Sequence, residues 1–192
     1  MKPKNLESTF VNMVLVLVSI AFLSSASLAY VYKLTKDKIE MSKKSKQLVA
    51  IKEVILPDYG NSPSEEMYKI KVEEGGELEC YPAKQNGELK SVAVKTYTKN
   101  AFGGEMWLMV GMLPDGTINK ISVIDQKETP GLGTKVTEEK FTSQFMGKNP
   151  NLFKLKVKKD GGDVDAITAA TISSRAVCDA IERAYKAFVS SK

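Results

Sequence analysis

From residue 8 to residue 32 the chain carries no charged side chain, and residues 10–23 are almost wholly apolar. About twenty such residues, each rising about 1.5 Å along a helix, cross a hydrocarbon core of about 30 Å. A helix on the surface of a soluble core keeps a polar face, and this stretch has none. The pattern predicts one transmembrane helix. The small residues at Ser24-Ser25-Ala26 and Ser27-Leu28-Ala29 are also compatible with cleavage of a secretory leader. The apolar run is longer than the core of a typical leader, which favours a retained anchor.

Charge around the anchor does not fix its direction. Lys2 and Lys4 precede it, whereas Lys33, Lys36, Lys38, Lys43, Lys44 and Lys46 follow. The positive-inside rule, taken alone, keeps the following domain in the cytoplasm, yet long domains translocate largely regardless of such charges. Residues 33–56 read as the same helix continued into water. Leu48, Ile51 and Ile55 recur at helical spacing, and Pro57 closes the segment. Its lysines form a solvated face within reach of anionic lipid headgroups, which makes membrane lipid an expected partner.

Beyond residue 65 the period changes. Residues 67–72 alternate, Gly75-Gly76 interrupts, and residues 88–94 follow an Asn86-Gly87 turn. Residues 105–113 and 118–124 form a hairpin with Asp115-Gly116 at its tip. A short helix is expected over residues 138–146, with Phe141 and Phe145 on one face. Residues 152–158 alternate like a strand up to Asp160-Gly-Gly. A last helix is expected from Ser173 or Ser174, with Val177, Ile181, Ala184 and Phe188 on one stripe. The expected fold class is α+β: a membrane helix, then one domain with a mainly antiparallel sheet and packed helices. The expected divisions are a tip and anchor at 1–34, a helical stalk at 35–60 and the folded domain at 61–192.

Composition narrows the function. With 192 residues, 43% hydrophobic and 27% charged, the chain is long and apolar enough for a real core. A net charge of +5 is spread along the sequence, and no zinc-finger or recognition-helix pattern accompanies it, so no nucleic-acid partner is expected. Histidine is absent, which removes the commonest general base and the commonest metal ligand. No catalytic residue and no metal site are therefore assigned. Cys80 and Cys178 fit no metal-ligand spacing, and their bonding state is open at this level.

Three small-residue stretches stand out. Residues 101–105 contain Gly103-Gly104, residues 128–134 read Glu-Thr-Pro-Gly-Leu-Gly-Thr, and residues 165–174 read Asp-Ala-Ile-Thr-Ala-Ala-Thr-Ile-Ser-Ser. In the second, Pro130 and the paired glycines give a rigid turn that a flat ligand can approach closely, and Thr129, Thr134 and Lys135 add hydroxyls and a cation. The third runs into a helix start, where unpaired N–H groups and the helix dipole favour a phosphate, with the Thr171 hydroxyl beside it. Each stretch has a plainer reading: the second as a hairpin-to-helix connection, the third as an N-cap and its approach. Together they are compatible with one pocket for a planar, phosphorylated, partly apolar molecule.

These motifs resemble the FMN-binding domain family, specifically the G subunits of Rnf-type ion-translocating ferredoxin:NAD oxidoreductase complexes. The resemblance runs from the anchor through Gly103-Gly104 and residues 128–133 to residues 170–173. Where the family's flavin-attachment motif commonly has Ser/Thr-Gly-Ala-Thr, this chain has Thr168-Ala169-Ala170-Thr171. A histidine common in the family shortly before Glu128 is also missing, replaced by Asp125-Gln126-Lys127.

The resemblance implies an electron carrier holding FMN covalently, through its phosphate, on Thr171. The N–H groups after Thr171 and the hydroxyls of Thr168 and Ser173 then meet the phosphate, and the ring lies against Gly131-Leu132-Gly133, with Leu132 in apolar contact. Ala170, Thr129, Thr134 and Lys135 complete the expected cofactor-binding set. Asp165 serves the attaching enzyme or caps the local turn. It further implies a single-pass protein of the inner membrane with its domain on the extracytoplasmic side. The implied partners are a flavin transferase and the other subunits of the complex, one of them a second flavin-carrying membrane protein. Two other readings remain at this stage. One is the C-type subunit of the sodium-translocating NADH:quinone oxidoreductase, which carries the same motif on a longer domain. The other is a non-redox anchored scaffold.

Overall fold

The computed structural model describes residues 9–72 and 75–191. The tip at residues 1–8 lies outside the described residues. The chain divides into two compact units, Met1–Ser45 and Lys46–Lys192. Helix α1 spans Phe10–Val54. Its apolar stretch is long enough to cross a membrane, and none of that stretch is buried. The turns from Lys46 onward belong to the second unit.

That unit is built on a five-stranded antiparallel meander in the order β1-β2-β3-β4-β5. The strands are β1 (Tyr68–Lys71), β2 (Glu77–Gln85), β3 (Glu88–Ala101), β4 (Gly104–Met112) and β5 (Ile118–Asp125). The β2–β3 turn places Asn86 and Gly87 at φ 54° and 83°, the left-handed pair that a two-residue hairpin requires. Strand β2 contains Pro82, which cannot donate to a ladder. It is tolerated because β1 pairs only with the segment Glu77 to Cys80, leaving that side of Pro82 without a strand.

Alternation along the strands feeds two cores. Val92, Val94, Leu108 and Val110 pack with Val177, Ile181, Ala184 and Phe188 of the last helix, α3 (Thr171–Ser190). The opposite face, with Tyr81, Ala83, Ala93 and Met109, is covered by Ala50, Ile51, Val54 and Ile55. Cys80 and Cys178 are both buried and free, and burial pushes each thiol up to about 12. At neutral pH neither supplies a thiolate, so both act as small core residues.

Three expectations are corrected. Residues 152–158 alternate in burial but form no strand. Leu155 and Val157 are buried, yet the segment lacks a neighbouring strand and folds back through Lys158 N–H to Val164 O and Val164 N–H to Lys156 O. The helix expected over residues 138–146 is a single turn, α2 (Glu139–Thr142), followed by a 3₁₀ turn at Ser143–Phe145. Phe141 and Phe145 still meet edge to face, 5.6 Å between centroids, which is what the spacing encoded. Helix α3 begins at Thr171, two to three residues before the expected Ser173 or Ser174.

Candidate functional site

The early start of α3 changes the meaning of its hydroxyls. The residue ahead of the helix is Ala170, which provides no side-chain cap. The first helical bond runs from Ser174 N–H to Ala170 O at 3.1 Å, so the N–H groups of Thr171, Ile172 and Ser173 have no partner within the helix. Ser174 Oγ donates to Ala170 O and accepts from Ile167 N–H, both at 3.0 Å. Ser173 Oγ donates to Glu128 Oε2 and is 2% exposed. The Thr171 hydroxyl makes no hydrogen bond among the described residues, and the side chain is part-exposed. The plain N-cap reading of this stretch therefore fails for Thr171: the serines are engaged structurally, and the threonine is left unengaged.

Glu128 joins the three small-residue stretches. Its Oε1 accepts from Gly103 N–H at 2.7 Å while Oε2 accepts from Ser173, 45 residues further along. Gly133 closes over this pair. A Cβ there would sit 2.4 Å from Glu128 Oε2 and 2.7 Å from Ser173 Oγ, distances no real side chain occupies. The three stretches thus meet at a buried hydrogen-bonded contact, and its centre is a residue that sequence reasoning did not assign to the site. Glu128 stood inside the 128–134 motif, but a carboxylate beside a glycine turn carries no local sign of what it will bind.

The other expected residues fall into two groups. Thr129, Gly131 and Leu132 are exposed on the loop, with Gly131 N–H held by Thr134 Oγ1 at 3.0 Å. Gly131 has φ 75° and needs its glycine for that conformation. Lys135, Asp165 and Thr168 instead line a cleft of about 470 Å³ together with Lys140, Phe141 and Gln144. Asp165 is exposed, paired with Lys158 at 2.7 Å, and its backbone is pinned by Gln144. Ala170 is buried and offers the site only its backbone. Leu132, Ile172 and Phe102 are exposed, and each is the chain neighbour of a residue in the Glu128 cluster.

Ala169 has φ 63°, the left-handed region that costs an L-residue about 1 kcal/mol or more. Alanine holds this conformation under strain, whereas a glycine would adopt it without a Cβ clash. Ala169→Gly is expected to raise the stability of the domain by about 0.5–1 kcal/mol, read from urea unfolding.

Residues 101–186 match the family model for the FMN-binding domain, a range that includes all three stretches. Over 181 residues the chain is 35% identical to the G subunit of the ion-translocating oxidoreductase complex of Vibrio atlanticus (strain LGP32), covering 90% of this chain and 87% of that one. The chain belongs to this G-subunit family. Another member, the G subunit of the Na(+)-translocating ferredoxin:NAD(+) oxidoreductase complex of Acetobacterium woodii, is 31% identical over 91% of this chain and 89% of its own. Among solved structures, NqrC of Shewanella oneidensis aligns over 72% of this chain and 70% of its own, at 24% identity and a TM-score of 0.48. As a member of the G-subunit family with one long apolar N-terminal helix, the chain is a membrane-anchored component of a larger complex.

Proposed function

We propose that the chain is the electron-carrier subunit of a membrane ion-translocating oxidoreductase complex and holds FMN as a phosphodiester on Thr171. The observation that carries this reading is the unengaged Thr171 hydroxyl at the start of a 20-residue helix, close to two serines that are both hydrogen-bonded elsewhere. The residues present fit the cofactor. The open N–H groups of Thr171, Ile172 and Ser173 would hold a phosphate there, and the dipole of α3 would favour its charge. The Lys135 and Lys140 cations border the cleft, and exposed Leu132 and Ile172 would offer apolar contact to a flat ring. Bound FMN supplies one- and two-electron chemistry, while the chain supplies position and electrostatics.

Attachment is a phosphoryl transfer and needs an activated donor, because phosphate monoesters react extremely slowly unaided. The Thr171 oxygen attacks the FMN phosphorus of a flavin dinucleotide. A P–O bond to Thr171 forms, the anhydride bond breaks, and a nucleoside monophosphate leaves. The hydroxyl proton goes to a base on the attaching enzyme, because no acidic side chain among the described residues accepts a hydrogen bond from Thr171 Oγ1. Attachment therefore requires a separate flavin transferase. The domain lies on the extracytoplasmic side, where a dissociating cofactor would be lost and a covalent one is not. The lysines after the anchor rest near lipid headgroups, and the neighbouring subunits of the complex donate and accept the electrons.

The test is direct. With the transferase co-expressed, the tryptic peptide covering residues 160–175 is expected to carry the mass of FMN minus water, with fragmentation placing it on Thr171. Unmodified peptide from flavin-replete cells overturns the covalent assignment.

A further inference from the structure

Glu128 is the only acidic or basic side chain among the described residues that is buried, at 5% exposure, and it has no cationic partner there. Burying a carboxylate with neutral donors alone is costly, so a fold that keeps one has a use for its position. Its two oxygens are shared out. Oε1 takes the N–H of Gly103 at the β3–β4 turn, and Oε2 takes the Ser173 hydroxyl in the first turn of α3. Its own N–H is held by Gln126 Oε1 at 2.6 Å. Both glycines around it are close-approach positions: a Cβ on Gly103 would meet the Lys127 carbonyl oxygen at 1.9 Å, and one on Gly133 would meet Glu128 itself.

We propose that Glu128 is a positioning residue for flavin attachment, acting through Ser173. By holding Ser173 inward it fixes the phase of the first turn of α3. Thr171, two residues earlier and about 200° around the helix, is thereby turned away from the bracket and presented to solvent. It also keeps the Ser173 hydroxyl from competing for the incoming phosphate, as the bonds to Ala170 O and Ile167 N–H already do for Ser174. This inference rests on the proposed role of Thr171 and adds to it the element that orients the acceptor. Displacing a reacting atom by about 1 Å costs on the order of a hundredfold in rate, so losing the bracket has a large kinetic consequence.

The experiment uses the full detergent-solubilised apo-chain with purified transferase and flavin dinucleotide, below the unfolding temperature of every variant. Initial rates of covalent labelling are taken per folded molecule, and amide exchange is followed in peptides covering residues 168–175. Glu128→Ala and Ser173→Ala are expected to label about tenfold or more slowly than the parent, with faster exchange in those peptides. Glu128→Gln is expected to stay within about threefold, because its amide oxygen accepts from Gly103 N–H and its amide nitrogen donates to Ser173 Oγ. Ser173→Ala removes a single hydroxyl from a helix and tests the idea even where Glu128→Ala does not fold. Labelling at the parental rate in Ser173→Ala overturns the proposal, as does Glu128→Gln failing as badly as alanine with normal amide exchange. A Thr171→Ala chain that still labels sinks the attachment reading instead, so the two failures are distinct.

Discussion

Replacing Thr171 with alanine is expected to leave the chain folded and strip it of covalent flavin. The first half follows from the idle state of the hydroxyl: it makes no hydrogen bond among the described residues, and its position in the first turn of α3 suits alanine. The stability change should stay within about 0.5 kcal/mol. The second half follows from the state of the neighbours. Ser173 is buried against Glu128, and Ser174 is fully buried between Ala170 O and Ile167 N–H. Neither can take over as acceptor without breaking a buried contact. Thr168 is exposed but lies outside the helix, before Ala169 and its left-handed backbone. In-gel flavin fluorescence after denaturation should fall to background in Thr171→Ala, persist in Thr168→Ala, and survive in Thr171→Ser, which keeps a hydroxyl in place. Fluorescence retained by Thr171→Ala would reassign the acceptor.

Gly133→Ala is expected to carry a large cost in stability. The added Cβ overlaps a buried carboxylate oxygen, a buried hydroxyl and the Glu128 Cβ at 2.4–2.8 Å. Overpacking of this kind costs about 1–3 kcal/mol, and losing a hydrogen bond to a buried charge adds about 1.5–3 kcal/mol. A total of about 3 kcal/mol or more corresponds to about 10 °C in Tm for a domain of this size. Gly131→Ala is the control. Nothing lies within 4 Å of its added Cβ, so only the backbone penalty at φ 75° applies, about 1 kcal/mol. Calorimetry on both variants separates crowding from backbone strain, and equal shifts would refute the packing argument.

The parts of the fold that could be read from the chain were those written in short periods. The β4–β5 hairpin at Asp115-Gly116, the Asn86-Gly87 turn and the stripe on α3 are each set by neighbours a few residues apart. Strand β2 escaped because Pro82 and Lys84 blur its alternation, and its pairing depends on where β1 stops. Residues 152–158 misled for the converse reason. Their side chains alternate between core and water, but strands need a partner, and alternation by itself does not provide one. The three small-residue stretches signalled a site without saying how they meet.

What the chain determined alone was an uncharged membrane-length segment, an antiparallel α+β domain behind it, and a threonine-bearing motif at the mouth of a helix. Such features depend on local hydrophobic period and turn chemistry, which a linear string records in full. Tertiary structure decided which hydroxyl remains open, that Ala169 must be left-handed, and that Glu128 binds stretches 25 and 45 residues away in sequence. Hydrogen-bond pairing and close packing across those separations come from how the sheet and α3 meet in space, and no local pattern encodes them.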